Sequence, residues 1–221
     1  MENLKIGILD DDKSKVTQIM NCLNKGVKGA DKEKITKYQD FKFDPIEIKV
    51  KNSMTELIEE VINNNIDCMI IDYKLSSFRV INFNGIEFAK ELFETLYDFP
   101  IFILTSYEDD LFCNEVYDAY KIFNFGRYIN EDSERIELNF KIIEQVCKTR
   151  KQISIWENEL LELISEKGKS EKIDSRIIDL DTKIEKSLNG KLNFSQKQKL
   201  DWSEDKLDVL IKKLDKIMGE S

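Results

Sequence analysis

The sequence predicts an α/β fold, a doubly wound parallel sheet of five strands, followed by an all-helical C-terminal extension. Two apolar runs, Cys68–Ile71 and residues 100–104, are continuous, which is typical of strands buried on both faces of a parallel sheet. Segments with helical periodicity separate the strand-like runs, and this alternation favours helices on both faces of the sheet. After Ser133 there is no further strand-like run or proline, and apolar residues recur at steps of three and four.

Composition narrows the function classes. The chain has 221 residues, a formal net charge of −9 and no histidine. We expect no nucleic-acid partner, because an acidic chain without a dense Lys/Arg cluster lacks a basic face. The four cysteines form no CxxC pair, which argues against a zinc site, and the missing histidine excludes a catalytic triad or an internal phosphohistidine relay. With no signal peptide or membrane span in the sequence, we expect a soluble cytoplasmic protein that does not contact a membrane.

The N-terminal segment predicts a strand and a helix. The strand covers residues 4–9 and ends in Asp10, Asp11 and Asp12. The helix follows because apolar residues recur at helical spacing: Val16, Ile19, Met20 and Leu23. Between residues 24 and 44 the pattern gives way to Lys, Gly and Asp, so we expect a long exposed insertion there.

The next segment predicts an edge strand, a helix and a buried strand. Alternation of Ile46, Ile48 and Val50 with charged residues indicates a half-buried edge strand entered through Pro45. Residues 53–56, Ser-Met-Thr-Glu, have the pattern of a capping box. The helix they start would bury Leu57, Ile58, Val61 and Ile62. The strand at Cys68–Ile71 then ends at Asp72, and a loop without regular pattern covers residues 76–83.

Two more strand and helix pairs complete the predicted sheet. Asn84-Gly85 opens a helix expected to bury Ile86, Ala89, Phe93 and Leu96. The strand at residues 100–104 ends at Thr105-Ser106. Residues 106–109 can cap a fourth helix that carries Phe112, Val116 and Tyr120 inward. Residues 122–129 are predicted as a fifth, irregular strand with Gly126 inside it.

The remainder predicts one long helix and two shorter ones, separated near Gly168 and at residues 189–190. Their apolar series are Ile136, Phe140, Ile143 and Cys147, continued by Ile153, Trp156, Leu160 and Leu163; then Ile173, Ile177, Leu180 and Ile184; then Leu207, Leu210, Leu214 and Ile217. We therefore expect a domain at residues 1–147 and a helical extension at residues 148–221. The extension would fold back as a hairpin bundle or pair with another chain as a coiled coil.

Polar side chains at three predicted strand ends suggest a site. The ends carry Asp10-Asp11, Asp72 and Thr105-Ser106, and neighbouring parallel strands bring such ends to one sheet edge. Three carboxylates there need a cation, and hard oxygen ligands suit Mg²⁺. A carboxylate beside that ion can attack phosphorus and form an aspartyl-phosphate, to which a nearby hydroxyl can hydrogen-bond.

Four stretches in this order resemble the receiver domain of bacterial two-component response regulators: residues 5–12 (KIGILDDD), 67–72 (DCMIID), 84–88 (NGIEF) and 100–106 (PIFILTS). The resemblance covers residues 1 to 147 and implies the flavodoxin-like receiver fold. It also implies that Asp72 is the phosphoacceptor and that Asp10 and Asp11 are the acidic pair that binds Mg²⁺. By the same resemblance, the carbonyl of Lys74 is a metal ligand, Thr105 is the switch hydroxyl with Ser106 beside it, and a histidine kinase is the phosphodonor.

The sequence departs from the receiver pattern at the fifth strand. Receivers carry a lysine at the end of that strand, and here its position is predicted at Asn130 or Glu131. Lys121 lies early in the segment and would reach the site only if the strand is irregular. Two function classes therefore stay open: a phosphorylation-dependent regulator, and a phosphorylation-independent pseudo-receiver that serves as an interaction or assembly module.

A third interpretation is a haloacid-dehalogenase-like phosphatase, because Asp10-x-Asp12 also ends a first strand in that family. It leaves Asp72 without a role, and the small residue and threonine expected after the aspartates are absent. We therefore expect a signalling protein and not an enzyme. Its helical extension would contact a protein effector and mediate self-association as a homodimer.

Overall fold

The computed structural model describes residues 2–75, 81–106 and 121–188. The chain divides into two compact units, Met1–Gln152 and Ile153–Ser221. The described part of the first unit contains a five-stranded sheet, and the described part of the second contains helices only. No helix among the described residues is both long enough and apolar enough to cross a membrane.

The sheet is entirely parallel. Its strands are β1 Glu2–Leu9, β2 Phe41–Glu47, β3 Cys68–Ile71, β4 Ile101–Thr105 and β5 Ile122–Asn124. They lie in the order β2-β1-β3-β4-β5, so chain order reverses between β1 and β3. In doubly wound sheets of this order, ligands bind at the carboxyl ends of the strands beside that reversal.

Helices cover both faces of the sheet. They are α1 Lys13–Asn24, α2 Lys32–Tyr38, α3 Met54–Asn63, α4 Gly85–Thr95, α5 Phe125–Asn130 and α6 Asp132–Ile164, and α7 Glu171–Leu188 follows. Helices α3 and α4 pack on one face, while α1, α5 and the first half of α6 pack on the other. The predicted fold class, a doubly wound five-stranded parallel sheet with a helical C-terminal part, is confirmed.

Successive residues of the central strands point to opposite cores. Ile70 and Phe102 pack with α1 and α6, whereas Ile71 and Ile103 pack with α3 and α4. All four residues of β3 and all five of β4 are buried. Burial on both faces explains why these strands read as continuous apolar runs in the sequence.

Helix α2 is a correction to the predicted irregular insertion at residues 24–44. The Asp31 carboxylate accepts the Lys34 N–H and caps this helix, whose Tyr38 is buried against the ring of Phe140. The strand β2 also starts earlier than predicted, at Phe41, and Pro45 lies inside it. Proline is tolerated there because β2 is an edge strand of the sheet.

The fifth strand and one face of α4 are further corrections. Strand β5 has three residues, and the chain turns into α5 at Phe125, where the Asn124 side chain accepts the Arg127 N–H. On α4, Phe93 was predicted to be buried but is 46% exposed, and Leu92 is buried in its place. The predicted strand includes the residues of α5, because they are as apolar and aromatic as those of β5. These residues instead form a capped helix.

Several predictions lie outside the described residues. They are the fourth helix with Phe112, Val116 and Tyr120, most of the loop at residues 76–83, the break at residues 189–190 and the third apolar series from Leu207 to Ile217; one of the four cysteines, Cys113, also lies there. Of the other cysteines, Cys22 and Cys68 are buried thiols and Cys147 is half-buried.

A buried polar network ties the first turns of α6 to the end of α1. The Arg135 guanidinium donates to the Gly26 and Lys28 carbonyls at 2.7 and 2.8 Å. The Asn139 amide donates to the Cys22 and Gly26 carbonyls and accepts the hydroxyl of Tyr128 at 3.0 Å. The Cys22 carbonyl lies in the last turn of α1, where carbonyls lack intrahelical partners, and the Gly26 and Lys28 carbonyls lie in the turn just beyond the helix.

In the second unit, the end of α6 and α7 form an antiparallel hairpin. Its core contains Trp156, Leu160, Ile177, Leu180 and Ile184. Arg176 of α7 donates two hydrogen bonds to Glu159 of α6 at 2.7 and 2.8 Å. The turn between the helices contains Gly168 at φ +81°, a conformation that favours glycine. Between the two arrangements expected for the extension, the described residues show the hairpin.

Gly85 lets the start of α4 approach the end of β3. Its N–H donates to the Tyr73 carbonyl at 2.8 Å, and a Cβ at this position would lie 2.0 Å from the backbone oxygen of Asp72. Backbone atoms cannot move aside as a flexible side chain can, so this contact requires glycine. The Asn84 side chain and Glu87 complete a reciprocal capping box around the same turn.

We therefore expect Gly85→Ala to lower the free energy of unfolding by roughly 2–4 kcal/mol, because α4 must shift away from β3. Urea unfolding followed by circular dichroism measures this loss. The control is Gly126→Ala in α5, whose added methyl group meets only the Asn124 side-chain oxygen at 3.2 Å. Equal stability of the two variants would contradict the close approach of α4 to Asp72.

Candidate functional site

Strand pairing brings Asp10 and Asp72 together. Leu9 pairs with Ile71, and the Asp72 N–H donates to the Leu9 carbonyl at 2.9 Å. The two aspartates therefore leave adjacent strands at the same level of the sheet. With Asp11, they offer carboxylate oxygens that all lie within 4.8 Å of one another, and such a group could hold a metal ion.

Two oxygens of this group have the environment of metal ligands. Asp10 is 6% exposed and Asp72 is 2% exposed. Asp10 Oδ1 accepts the Asp12 N–H at 2.8 Å, but Asp10 Oδ2 and Asp72 Oδ1 are buried with no hydrogen-bond partner among the described residues. Buried carboxylate oxygens are costly without a partner, and a hard cation bound between them would satisfy both.

The carboxylates of the site are difficult to ionise without such a cation. Burial, followed by the charge of Asp72, raises the pKa of Asp10 from 3.8 to about 7. Burial also raises the pKa of Asp72, although Lys15 acts in the opposite direction. Burial is the largest cause of both shifts, because it disfavours the charged form of a carboxyl group.

Lys15 is the site residue that the sequence analysis missed. From the first turn of α1, its ammonium donates to Asp72 Oδ2 at 3.2 Å and lies 3.9 Å from Asp10 Oδ2. Burial acts to lower the pKa of Lys15, but the charges of Asp72 and Asp10 outweigh it and the pKa is raised. The side chain is 21% exposed, and the Phe125 ring centroid lies 5.4 Å from the ammonium.

The remaining predicted residues lie around this group. Thr105 ends β4, beside β3, and is fully buried, while Ser106 after it is exposed. Lys74 is half-buried and follows Asp72 by two residues. Thr105 is thus at the correct strand end, and Ser106 faces solvent.

The end of β5 carries Asn124, which pairs with Thr105 across the sheet. Placing the receiver lysine position at Asn130 or Glu131 was wrong, because these residues lie at the end of α5, beyond the short strand. Lys121 precedes β5, and its ammonium lies over the Phe93 ring of α4 at 5.6 Å. The strand end that faces Thr105 therefore has an amide side chain where a lysine was expected by resemblance.

Comparisons with known proteins add little to this geometry. No family model matches the chain, and no curated protein matches it. Solved structures that are similar to it include three with low sequence identity. A fusion of the trimeric coiled coil of yeast Spc42 has 16% identity and a TM-score of 0.41, with 75% of this chain and 97% of that chain covered.

The other two are a two-component transcriptional regulator AraC from Clostridium phytofermentans ISDg and the anti-anti-sigma factor PhyR from Bartonella quintana. The regulator has 14% identity and a TM-score of 0.42, with 67% of this chain and 98% of that chain covered. PhyR has 11% identity and a TM-score of 0.40, with 70% and 51% covered. At these values, similarity identifies neither a family nor an activity, and the fold assignment rests on the sheet topology itself.

In metal-free protein, the raised pKa of Asp10 makes stability depend on pH. A carboxyl whose folded pKa of about 7 exceeds its unfolded value of 3.8 binds its proton more tightly when folded. Its contribution to stability is therefore complete below about pH 4 and is lost as pH rises through about 7. We expect Asp10→Asn to be more stable than wild type at pH 8 by roughly 1–3 kcal/mol, with a smaller gain at pH 5.

Urea unfolding in EDTA at both pH values measures the difference. The matched control is Asp44→Asn, which removes an exposed carboxylate from β2. A gain in Asp10→Asn that is the same at pH 5 and pH 8, or no gain at either, would show that Asp10 ionises normally.

Proposed function

We propose that the first unit is a phosphorylation-dependent signalling domain of the receiver type, with Asp72 as the phosphoacceptor. The observation that supports this most directly is the convergence of Asp10, Asp11 and Asp72 at the switch point of the sheet, with one buried oxygen of Asp72 unpartnered. Thr105 lies at the end of the neighbouring strand β4, two residues after Ile103, which pairs with Ile71, and its hydroxyl could hydrogen-bond a new phosphoryl group.

Mg²⁺ fits the donor set of this site. Asp10 and Asp11 would hold the ion through carboxylate oxygens, together with Asp72 and the carbonyl of Lys74. When bound, it supplies positive charge beside the phosphoryl oxygens. The chain's own contribution is to hold Asp72 rigidly at the end of a strand, with its carboxylate largely shielded from water.

The reaction needs no proton transfer by the protein. A carboxylate oxygen of Asp72 attacks the phosphorus of an acyl phosphate, or of a phosphohistidine on a partner kinase. A new O–P bond forms as the bond from phosphorus to the leaving group breaks, and the leaving group departs with that electron pair. From acetyl phosphate the leaving group is acetate.

A phosphorylation-independent pseudo-receiver is the second candidate. Asn124 at the end of β5 favours it, because the strand offers no ammonium to a phosphoryl group at this level of the sheet. The same site would then act as a fixed element of an interaction module, with its negative charge partly compensated by Lys15. The phosphatase alternative is less well supported, because the Asp12 carboxylate accepts the Ser14 N–H at 2.8 Å and caps α1.

We expect wild-type protein incubated with acetyl phosphate and Mg²⁺ to gain the mass of one phosphoryl group, and Asp72→Asn to gain none. Intact-mass spectrometry measures both. The control is Asp67→Asn, which removes a carboxylate at the opposite end of the same strand, where it accepts the Lys5 N–H at 2.8 Å. A wild type that gains no phosphate would favour the pseudo-receiver, and phosphate that survives Asp72→Asn would place the acceptor elsewhere.

We propose further that the helical extension mediates protein contacts, including self-association. Its described part has two apolar side chains that the hairpin core does not bury, Ile155 at 47% and Leu161 at 44% exposed. They lie on the end of α6, next to core residues Trp156 and Leu160. Exposed apolar side chains such as these are candidate contacts for a second copy or an effector.

Leu160 and Leu161 give a matched pair of variants for this proposal. We expect Leu160→Glu to unfold the hairpin, because Leu160 is 4% exposed within its core. Leu161→Glu should leave the helical circular dichroism signal unchanged and lower the mass of the assembly in light scattering. A wild type that is monomeric, or a Leu161→Glu variant with unchanged mass, would show that this face does not mediate self-association.

A further inference from the structure

Lys15 is the ammonium that the structure places on the phosphoacceptor. It reaches the site from the first turn of α1 and donates to Asp72 Oδ2 at 3.2 Å. The Asp12 N-cap fixes the start of this helix, and Val16, the next residue, is 3% exposed in the core. The base of the Lys15 side chain is therefore held, while its four-carbon stem leaves the ammonium able to follow a charge.

Lys15 compensates only part of the negative charge at the site. Asp10, Asp11 and Asp72 sum to −3 when ionised, and one ammonium reduces this to −2. A divalent cation would neutralise the remaining charge of −2, so Lys15 and the ion would compensate different parts of the negative charge. Asp72 Oδ2 accepts a hydrogen bond from Lys15, whereas Asp72 Oδ1 and Asp10 Oδ2 accept no hydrogen bond from the described residues.

Phosphorylation replaces the single charge of the Asp72 carboxylate with the two charges of a phosphoryl group, close to the oxygen that Lys15 already contacts. During phosphoryl transfer, a cation that is already bound at the carboxylate can move to a phosphoryl oxygen without being recruited from solvent. Such a cation stabilises the phosphoryl group most effectively. Phe125 covers one side of the ammonium with its ring and keeps it near Asp72. The first residue of α5 thus contributes a ring beside the cation, and α1 contributes the cation itself.

We propose that Lys15 is the phosphoryl-binding cation of this site, supplied by helix α1 in place of a residue on β5. The inference rests on the proposed phosphorylation of Asp72. In the resting site Lys15 opposes the divalent cation by charge, and after transfer it stabilises the aspartyl-phosphate. Lys15 therefore weakens the binding of Mg²⁺ and strengthens the binding of the phosphoryl group. A purely structural lysine would not have these opposite effects.

The test compares Lys15→Met, which removes the charge, with Lys15→Arg, which keeps it. The matched control is Lys13→Met, which removes an exposed charge from the same turn of α1. Calorimetric titration measures Mg²⁺ affinity, with Asp11→Asn as the variant expected to weaken it. Intact mass measures the rate of phosphate incorporation from acetyl phosphate at saturating Mg²⁺.

We expect Lys15→Met to bind Mg²⁺ about fivefold or more tightly, because a competing positive charge is gone. Its phosphate incorporation should fall about tenfold or more. Lys15→Arg should recover most of the incorporation, and Lys13→Met should change neither quantity by more than about twofold.

Three results would overturn the assignment, and they are distinguishable. Normal phosphate incorporation by Lys15→Met refutes the role of Lys15 alone and leaves phosphorylation of Asp72 standing. Loss of both Mg²⁺ binding and incorporation makes Lys15 a structural residue. A wild type that binds Mg²⁺ but takes no phosphate refutes the proposed function, and this inference with it.

Discussion

The pairing of β1 with β3 is the constraint on which the site depends. Strand pairing, including the backbone hydrogen bond from the Asp72 N–H to the Leu9 carbonyl, holds two carboxylates side by side where they are buried from water. The two carboxylates themselves disfavour this arrangement, because like charges repel and buried charges are costly. The favourable free energy comes from the apolar strands, which bury both faces, and the repulsion is confined to their carboxyl ends.

Two neighbouring elements make this arrangement tolerable. Helix α4 approaches the end of β3 through Gly85, so the Asp72 backbone is held by direct contact. Helix α1 supplies the ammonium of Lys15 to the carboxylate itself. One contact fixes the position of Asp72 and the other compensates part of its charge, so both the geometry and the electrostatics of this residue depend on elements distant in sequence.

The sequence predicted the sheet well because each central strand is a local pattern. Continuous apolar runs at Cys68–Ile71 and Ile101–Thr105 can be recognised without knowing their neighbours, and polar residues at their ends indicate the reactive edge. Asp10, Asp11 and Asp72 were brought together as expected. Topology makes this possible, because parallel strands place their carboxyl ends at one edge.

What could not be predicted depends on contacts between distant segments. Lys15 has no signal in its own neighbourhood, where one lysine among several starts an amphipathic helix, and only the packing of α1 directs it to Asp72. The end of β5 was misplaced because Phe125 and its neighbours are apolar enough for a strand, while the deciding feature is the Asn124 cap. Periodicity predicts that Phe93 of α4 is in the core, but the helix buries Leu92 and leaves Phe93 exposed.

Helix α1 also has a second attachment, at the opposite end from Lys15. The Cys22 carbonyl and the Gly26 carbonyl just beyond the helix accept hydrogen bonds from Arg135 and Asn139 of α6. A helix of 12 residues is about 18 Å long and behaves as a rod, so its two ends cannot move independently. If an anion at Asp72 displaces α1 through Lys15, thermodynamic reciprocity requires that a partner which binds α6 and shifts the same helix changes the affinity for that anion by the same factor.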